Sequence, residues 1–243
     1  MAELVFGWSQ VSDGNMSLKY GDPVTVKNNR ERFFEKLGIN SEDLVTLSLL
    51  GGTNVTTVTS QDKGRMLEAD AAIAEEAGVG LFMVVGDCFP VIMFDPIKNI
   101  LALAHCGRSG IEGNIVNRVI ERLSCQGIDT KDLMVKIGPG IKKESYRFPK
   151  EDLDKRISSG DNMWKPYLQV DENDWTMIDL VGFLKKQLDE GGVIKENIWD
   201  SGIDTCADKN YFSHYRDRGK IPSFAKATEG KEGRFGVVAI IKE

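Results

Sequence analysis

Gly86-Asp-Cys-Phe-Pro-Val-Ile-Met-Phe-Asp95, continuing as Pro96-Ile-Lys-Asn-Ile-Leu-Ala-Leu-Ala-His105, is the stretch that decides the fold. Two apolar runs, from Pro90 to Phe94 and from Ile100 to Ala104, flank a segment in which Pro96 fixes one φ angle and Lys98-Asn99 favours a turn. A hairpin centred on Ile97-Lys98 sets His105 opposite Pro90. Side chains alternate along a strand, so Cys88 shares a face with Pro90 and becomes a diagonal neighbour of His105, the two side chains roughly 7 Å apart or less. Asp87 and Cys106 are expected on the other face.

Outward from this hairpin, the patterning predicts strands at 3–7, 44–50, 55–58 and 79–85 before it, and at 131–137 and 235–241 after it. Asn28 to Leu37 reads as a helix that buries Phe33, Phe34 and Leu37 and stops at Gly38. Ser109 and Glu112 have capping-box spacing ahead of Ile111, Ile115, Val119 and Leu123, which predicts a helix starting a few residues beyond His105. Met177, Val181, Leu184 and Leu188 form a second helical stripe ending at Gly191-Gly192. The polar stretch from Lys150 to Lys165 reads as surface helix and loop, Ala225 to Gly233 as a mobile loop, and Gly51-Gly52 as a tight turn.

With 243 residues, 41% hydrophobic and 28% charged, the chain is long enough for one large α/β domain, and nothing in it marks a boundary within 1–243. The start Met1-Ala-Glu-Leu-Val-Phe-Gly7 lacks a basic patch followed by an apolar core, and the longest apolar runs are strand-length, which points to a cytoplasmic protein. A net charge of -6 without a long basic run argues against nucleic acid and membrane as partners. Four cysteines with no CxxC spacing fit reduced thiols, and two histidines are too few for a multi-histidine metal site in one chain.

Cys88 and His105 are therefore the candidate catalytic pair. A cysteine attacks as its thiolate, which a nearby imidazole or helix N-terminus favours. The helix expected near Ser109 would aim free N–H groups at the same region and favour a phosphate or an oxyanion. The competing reading makes Cys88 a small buried hydrophobe and His105 a satisfied strand-end histidine. Cys106 reads as packed on the opposite face and Cys125 as an inert helix-end residue. His214, within Tyr211-Phe-Ser-His-Tyr-Arg-Asp217, reaches the pair only through tertiary folding. Ser109 and Arg216 are the candidate substrate-binding residues, with Arg218 and Arg234 as further phosphate candidates.

The order of Glu68-Ala-Asp-Ala71, Gly86-Asp-Cys-Phe-Pro-Val91, Ala104-His-Cys-Gly107, Ile137-Gly-Pro139 with Tyr146, Asp204-Thr-Cys206, Phe212-Ser-His-Tyr-Arg-Asp217 and Gly233-Arg234 resembles YfiH-type proteins. This laccase-domain family was first described as multicopper polyphenol oxidases and later as zinc-dependent purine nucleoside phosphorylases. The resemblance runs over nearly the whole chain and implies an α+β fold, a mixed β-sheet core with flanking helices, similar to the catalytic domain of cytotoxic necrotizing factor. It also implies a small-molecule substrate, and a zinc ion on three side chains, two of which fall on Cys88 and His105. The third, a histidine in a Gln-Val-His-Gly segment, falls on Gly51 in Leu49-Leu-Gly-Gly52. His105-Cys-Gly-Arg-Ser-Gly110 departs from the family's His-Ala-Gly-Trp-Arg-Gly, Gly7-Trp-Ser-Gln10 lacks the arginine expected of a Thr-Arg segment, and Gly140-Ile-Lys-Lys143 and Phe212-Ser-His-Tyr-Arg-Asp217 are altered as well. The departures gather at the site, while the scaffold segments match.

Three readings follow from the resemblance. The first is a divergent enzyme that cleaves adenosine or inosine with phosphate at an altered zinc site, with His214 or Cys106 as the available replacement ligands. The second is a metal-free hydrolase or deamidase working through Cys88 and His105. The third is a non-catalytic binding protein on the same scaffold. Copper-dependent polyphenol oxidation has the least support, because two histidines cannot furnish a multicopper centre.

Overall fold

The computed structural model describes residues 3–153, 162–218 and 232–242. In chain order its strands and helices are β1 (Glu3–Trp8), α1 (Pro23–Lys36), β2 (Leu44–Ser48), β3 (Val55–Val58), β4 (Met66–Glu68), β5 (Ala71–Ala74), β6 (Gly80–Val85), β7 (Phe89–Asp95) and β8 (Ile100–Cys106). There follow α2 (Arg108–Glu112), α3 (Ile115–Cys125), β9 (Met134–Ile137), β10 (Arg147–Pro149), β11 (Leu168–Val170), β12 (Trp175–Ile178), α4 (Leu180–Glu190), β13 (Ile198–Asp200), α5 (His214–Asp217) and β14 (Phe235–Lys242).

One sheet runs β1-β14-β6-β2-β4, a second β13-β9-β7-β8-β5-β3, and a small third β10-β12-β11. Both large sheets mix directions: β2 is parallel to β6 but β14 antiparallel to it, and β3 is parallel to β5 while β7 is antiparallel to β8. Alternation gives each sheet two apolar faces. Between the sheets, Val45, Leu81, Met83 and Val237 of the first meet Ile92, Leu101 and Leu103 of the second. The outer face of the first sheet packs on Phe33 and Phe34 of α1. The outer face of the second packs Val91, Met93 and Ala102 against Val119, Leu123, Leu184 and Leu188 of α3 and α4. Apart from Ala102, each such side chain contributes about 1.5–3 kcal/mol through burial. The layering is mixed α+β, as the resemblance implies.

Several local expectations are corrected. Helix α1 starts earlier than Asn28, because Asp22 accepts the Thr25 amide at 2.8 Å and Pro23 occupies the first turn, where its missing N–H costs nothing. The capping-box reading of Ser109 and Glu112 fails. Gly107 caps α2, Ser109 lies inside that helix, and Asn114 takes a left-handed φ of 57° that separates α2 from α3. Glu112 instead accepts the Trp164 indole N–H at 3.0 Å. Met177 belongs to β12, and α4 begins after Asp179, whose carboxylate caps the Gly182 amide at 2.8 Å. Within the stretch read as surface, Trp164 is fully buried and meets Phe183 edge-on, ring centroids 4.9 Å apart; residues 154–161 lie outside the described residues, as do 225–231 of the loop read as mobile. No helix among the described residues is long and apolar enough to cross a membrane.

Candidate active site

The hairpin forms with Pro90 opposite His105 and Phe89 opposite Cys106, the register expected for a turn centred on Ile97-Lys98. Asp95 closes that turn by accepting the amides of Ile97 and Lys98 at 2.7 and 2.9 Å. Cys88 and His105 converge on Gly107. The position that a Cβ would take there lies 2.9 Å from Cys88 Sγ and 3.3 Å from His105 Cε1, so any larger residue pushes into the thiol. In the sequence Gly107 stands out only as the end of Ala104-His-Cys-Gly107.

Two buried carboxylates hold the surrounding loops. Asp70, fully buried, accepts the amides of Leu50 at 2.9 Å, Gly51 at 2.6 Å and Asn54 at 3.1 Å, while its own carbonyl takes the His105 amide at 2.8 Å. The Gly51-Gly52 loop is thereby tied to the end of β8. Asp87, at a left-handed φ of 77°, accepts Thr205 Oγ1 at 2.7 Å and the Tyr215 amide at 2.6 Å. Burial pushes its carboxyl up, with the hydrogen bonds from Thr205 and Tyr215 opposing. That contact brings α5 beside Cys88, a long-range link that only the tertiary fold creates.

The electrostatics of the pair differ from a thiolate–imidazolium couple. Cys88 keeps partial exposure, yet desolvation and then the Asp87 charge push its thiol up to about 12 against the pull of Arg234 and Arg108. Desolvation lowers His105 to about 4, with Asp70 opposing. A neutral imidazole brings no positive charge to a neighbouring thiolate, and α2 is a short helix of five residues.

A cavity of about 220 Å³ opens at this point, walled by Cys88, Arg108, Tyr146, His214 and Tyr215 among others. His214 arrives on α5, its Nδ1 3.0 Å from the Glu232 carboxylate and 3.0 Å from Arg234 Nη2. Desolvation lowers its pKa, with Glu232 opposing. Ser109 is exposed on α2, next to Arg108. Arg216 is only 9% exposed and spends its guanidinium on the carbonyls of Thr205, Cys206, Asp208 and Tyr211 and on Asp217, so it pins the 205–211 loop.

A catalytic zinc takes three protein ligands and keeps one position open. Cys88 and His105 offer two. Gly51 has a φ of 79° and nothing within 4 Å of its Cβ position. Cys106 is fully buried on the opposite face of the hairpin, within the core under α3. His214 holds Glu232 and Arg234 through Nδ1 alone and stands on the same cavity wall as Cys88. Among the described residues no group of three or more His, Cys, Asp or Glu is placed to hold a metal ion. Among the described residues, Cys88 and His105 thus supply two of the three donors a catalytic zinc takes, and position 51 supplies none.

Comparison with known proteins places this architecture. Residues 6–228 match the family described as multi-copper polyphenol oxidoreductase laccase. A Deinococcus radiodurans protein named purine nucleoside phosphorylase is 28% identical over 207 residues, covering 85% of this chain and 78% of that one. A Geobacillus stearothermophilus protein, purine nucleoside phosphorylase YlmD, is 30% identical over 217 residues, covering 84% and 79%. The crystal structure of YlmD superposes with a TM-score of 0.79 at 25% identity, covering 100% of this chain and 91% of that one. The Bacillus licheniformis YfiH structure has a TM-score of 0.83 at 20% identity, covering 98% and 93%, and shares the fold.

Proposed function

This chain belongs to the multi-copper polyphenol oxidoreductase laccase family, and we propose that within it the protein is a divergent purine nucleoside phosphorylase acting on inosine or adenosine. The observation that carries this reading is the cavity in which Cys88 of the hairpin meets Arg108, Tyr146, His214 and Tyr215, in a chain whose relatives bear that name over most of their length. Phosphorolysis breaks the bond between the ribose C1′ and the purine nitrogen while a phosphate oxygen bonds to C1′. The base leaves with the electron pair, and its developing charge needs a cation or a hydrogen-bond donor. Arg108 supplies the cation at the cavity wall, and the protonated Cys88 thiol is a weak donor beside it. Tyr146 and Tyr215, set edge to face with centroids 5.7 Å apart, give a flat base an apolar surface.

No step here runs through zinc, because Gly51 leaves the donor set one ligand short. Incubating the purified protein with inosine or adenosine, with and without phosphate, tests the proposal. Free base released only with phosphate supports it, and no base at high enzyme load overturns it. The same missing donor favours one other reading, a nucleoside-binding protein without turnover, which saturable binding in the absence of any released base identifies. Metal-free thiolate chemistry is disfavoured by the high pKa of Cys88.

A further inference from the structure

A second cavity, of about 410 Å³, lies on the outer side of the first sheet, between the 17–20 turn, α1 and strands β2 and β6. Lys19, Arg30 and Arg234 stand in its wall, and no carboxylate among the described residues does. In a chain of net charge -6, that is a local reversal of sign. Lys19 and Arg30 have no carboxylate partner among the described residues. Lys19 lies over the Tyr20 ring, 5.5 Å from its centroid. Arg30 gives Nε and Nη2 to the Met16 carbonyl at 2.9 and 2.7 Å and stacks 5.1 Å from the centroid of the buried Phe82. Arg30 is thus half-buried and partly desolvated without a counter-ion, and an anion would complete it.

Arg234 links this cavity to the Cys88 cavity. Its guanidinium lies 4.3 Å from the Tyr20 centroid and donates to the Tyr20 hydroxyl at 3.0 Å, while its Cδ sits 2.6 Å from where Gly86 would carry a Cβ. A larger residue at position 86 would therefore displace it. Glu232 takes part of its charge at 3.4 Å, and Lys19 and Arg30 remain for an external anion.

We propose that this cavity is an oxyanion site that takes a phosphate dianion between Lys19 and Arg30, beside Arg234. Its place in the chemistry rests on the phosphorolysis proposed above: inorganic phosphate enters here, or the phosphate of a ribose 1-phosphate product is held here, one Arg234 side chain away from Cys88.

Calorimetric titration of the whole chain with inorganic phosphate alone, and separately with ribose 1-phosphate, tests the site without nucleoside present. Saturable binding is expected, weakened about tenfold to a hundredfold in Lys19→Gln and in Arg30→Gln, recovered in part by Arg30→Lys, and falling as salt rises. Lys19 is exposed, so its variant keeps the fold, and thermal melts monitor the Arg30 variants. Tighter binding of ribose 1-phosphate supports the site as a holder of product, and equal affinities support it as the entry for inorganic phosphate. Absent phosphate binding, or equal affinity in wild type, Lys19→Gln and Arg30→Gln, overturns the proposal. Cation-dependent phosphate binding with no base release leaves this site standing and removes phosphorolysis; base release with cation-independent phosphate binding does the reverse.

Discussion

Arg216→Met removes a guanidinium that holds four backbone carbonyls, the nearest being Tyr211 O at 2.6 Å and Thr205 O at 2.9 Å, together with the Asp217 carboxylate at 3.2 Å. Methionine fills comparable volume but offers no donor, so the carbonyls and the carboxylate, itself only 5% exposed, are stranded in a poorly solvated pocket. Losing one member of such a network costs about 3–5 kcal/mol, a large share of the roughly 5–15 kcal/mol that holds a typical protein folded. For a chain of this size the melting midpoint should drop by roughly 6–20 °C. Arg216→Lys should restore only part, since an ammonium cannot span carbonyls that a planar fork reaches together. Urea unfolding followed by tryptophan fluorescence measures the change. Stability within about 1 kcal/mol of wild type, combined with a raised KM for nucleoside or phosphate, would refute this account of Arg216 and return it to the substrate-binding role expected from sequence.

His105 titrates at about 4 in the folded protein against 6.5 for a free imidazole. Its contribution to stability is therefore full above pH 6.5 and is lost as pH falls through 4, a loss of about 3 kcal/mol. Urea midpoints of chelator-treated protein across that window should show the loss in wild type but not in His105→Asn, and equal slopes in both would contradict it. In the same chelator-treated protein the Cys88 thiol, pushed up to about 12, should resist iodoacetamide near neutral pH while exposed Cys125 is alkylated. Peptide mass spectrometry reads both sites, and rapid labelling of Cys88 would reopen thiolate chemistry. Gly51→His places a third donor in open space, at some cost from the positive φ, and elemental analysis should find more zinc retained than in wild type. Near-stoichiometric zinc in wild type would show that a donor outside Cys88 and His105 completes the site.

The hairpin was legible because every signal in it is local. Pro96, the Lys98-Asn99 turn and two alternating runs fix the register, and the register alone places Cys88 and His105 together. What escaped is what tertiary contact creates. Asp70 looks like any acidic residue until the amides of Leu50, Gly51 and Asn54 fold back onto it from 16 to 20 positions away. Ala71-Ala-Ile-Ala74 carries little strand propensity, yet it is fully buried in β5 between β3 and β8. Trp164 sits in a polar stretch of sequence, and its burial comes from the Glu112 carboxylate, the Phe183 ring and the apolar cluster to which Trp164 and Phe183 belong. Asp87 carries no local sign that its carboxylate takes Thr205 Oγ1 and the Tyr215 amide, partners 118 and 128 positions away. The cationic cavity of Lys19, Arg30 and Arg234 joins three distant segments and has no motif of its own.

The most direct test of the central claim is a 31P NMR time course of the purified protein with inosine and inorganic phosphate, run beside Cys88→Ala. Phosphorolysis predicts that the inorganic phosphate signal declines as a sugar phosphate monoester signal grows in step with free hypoxanthine, and that Cys88→Ala slows both. Hypoxanthine without a sugar phosphate signal, or an unchanged spectrum at high enzyme load, would contradict it.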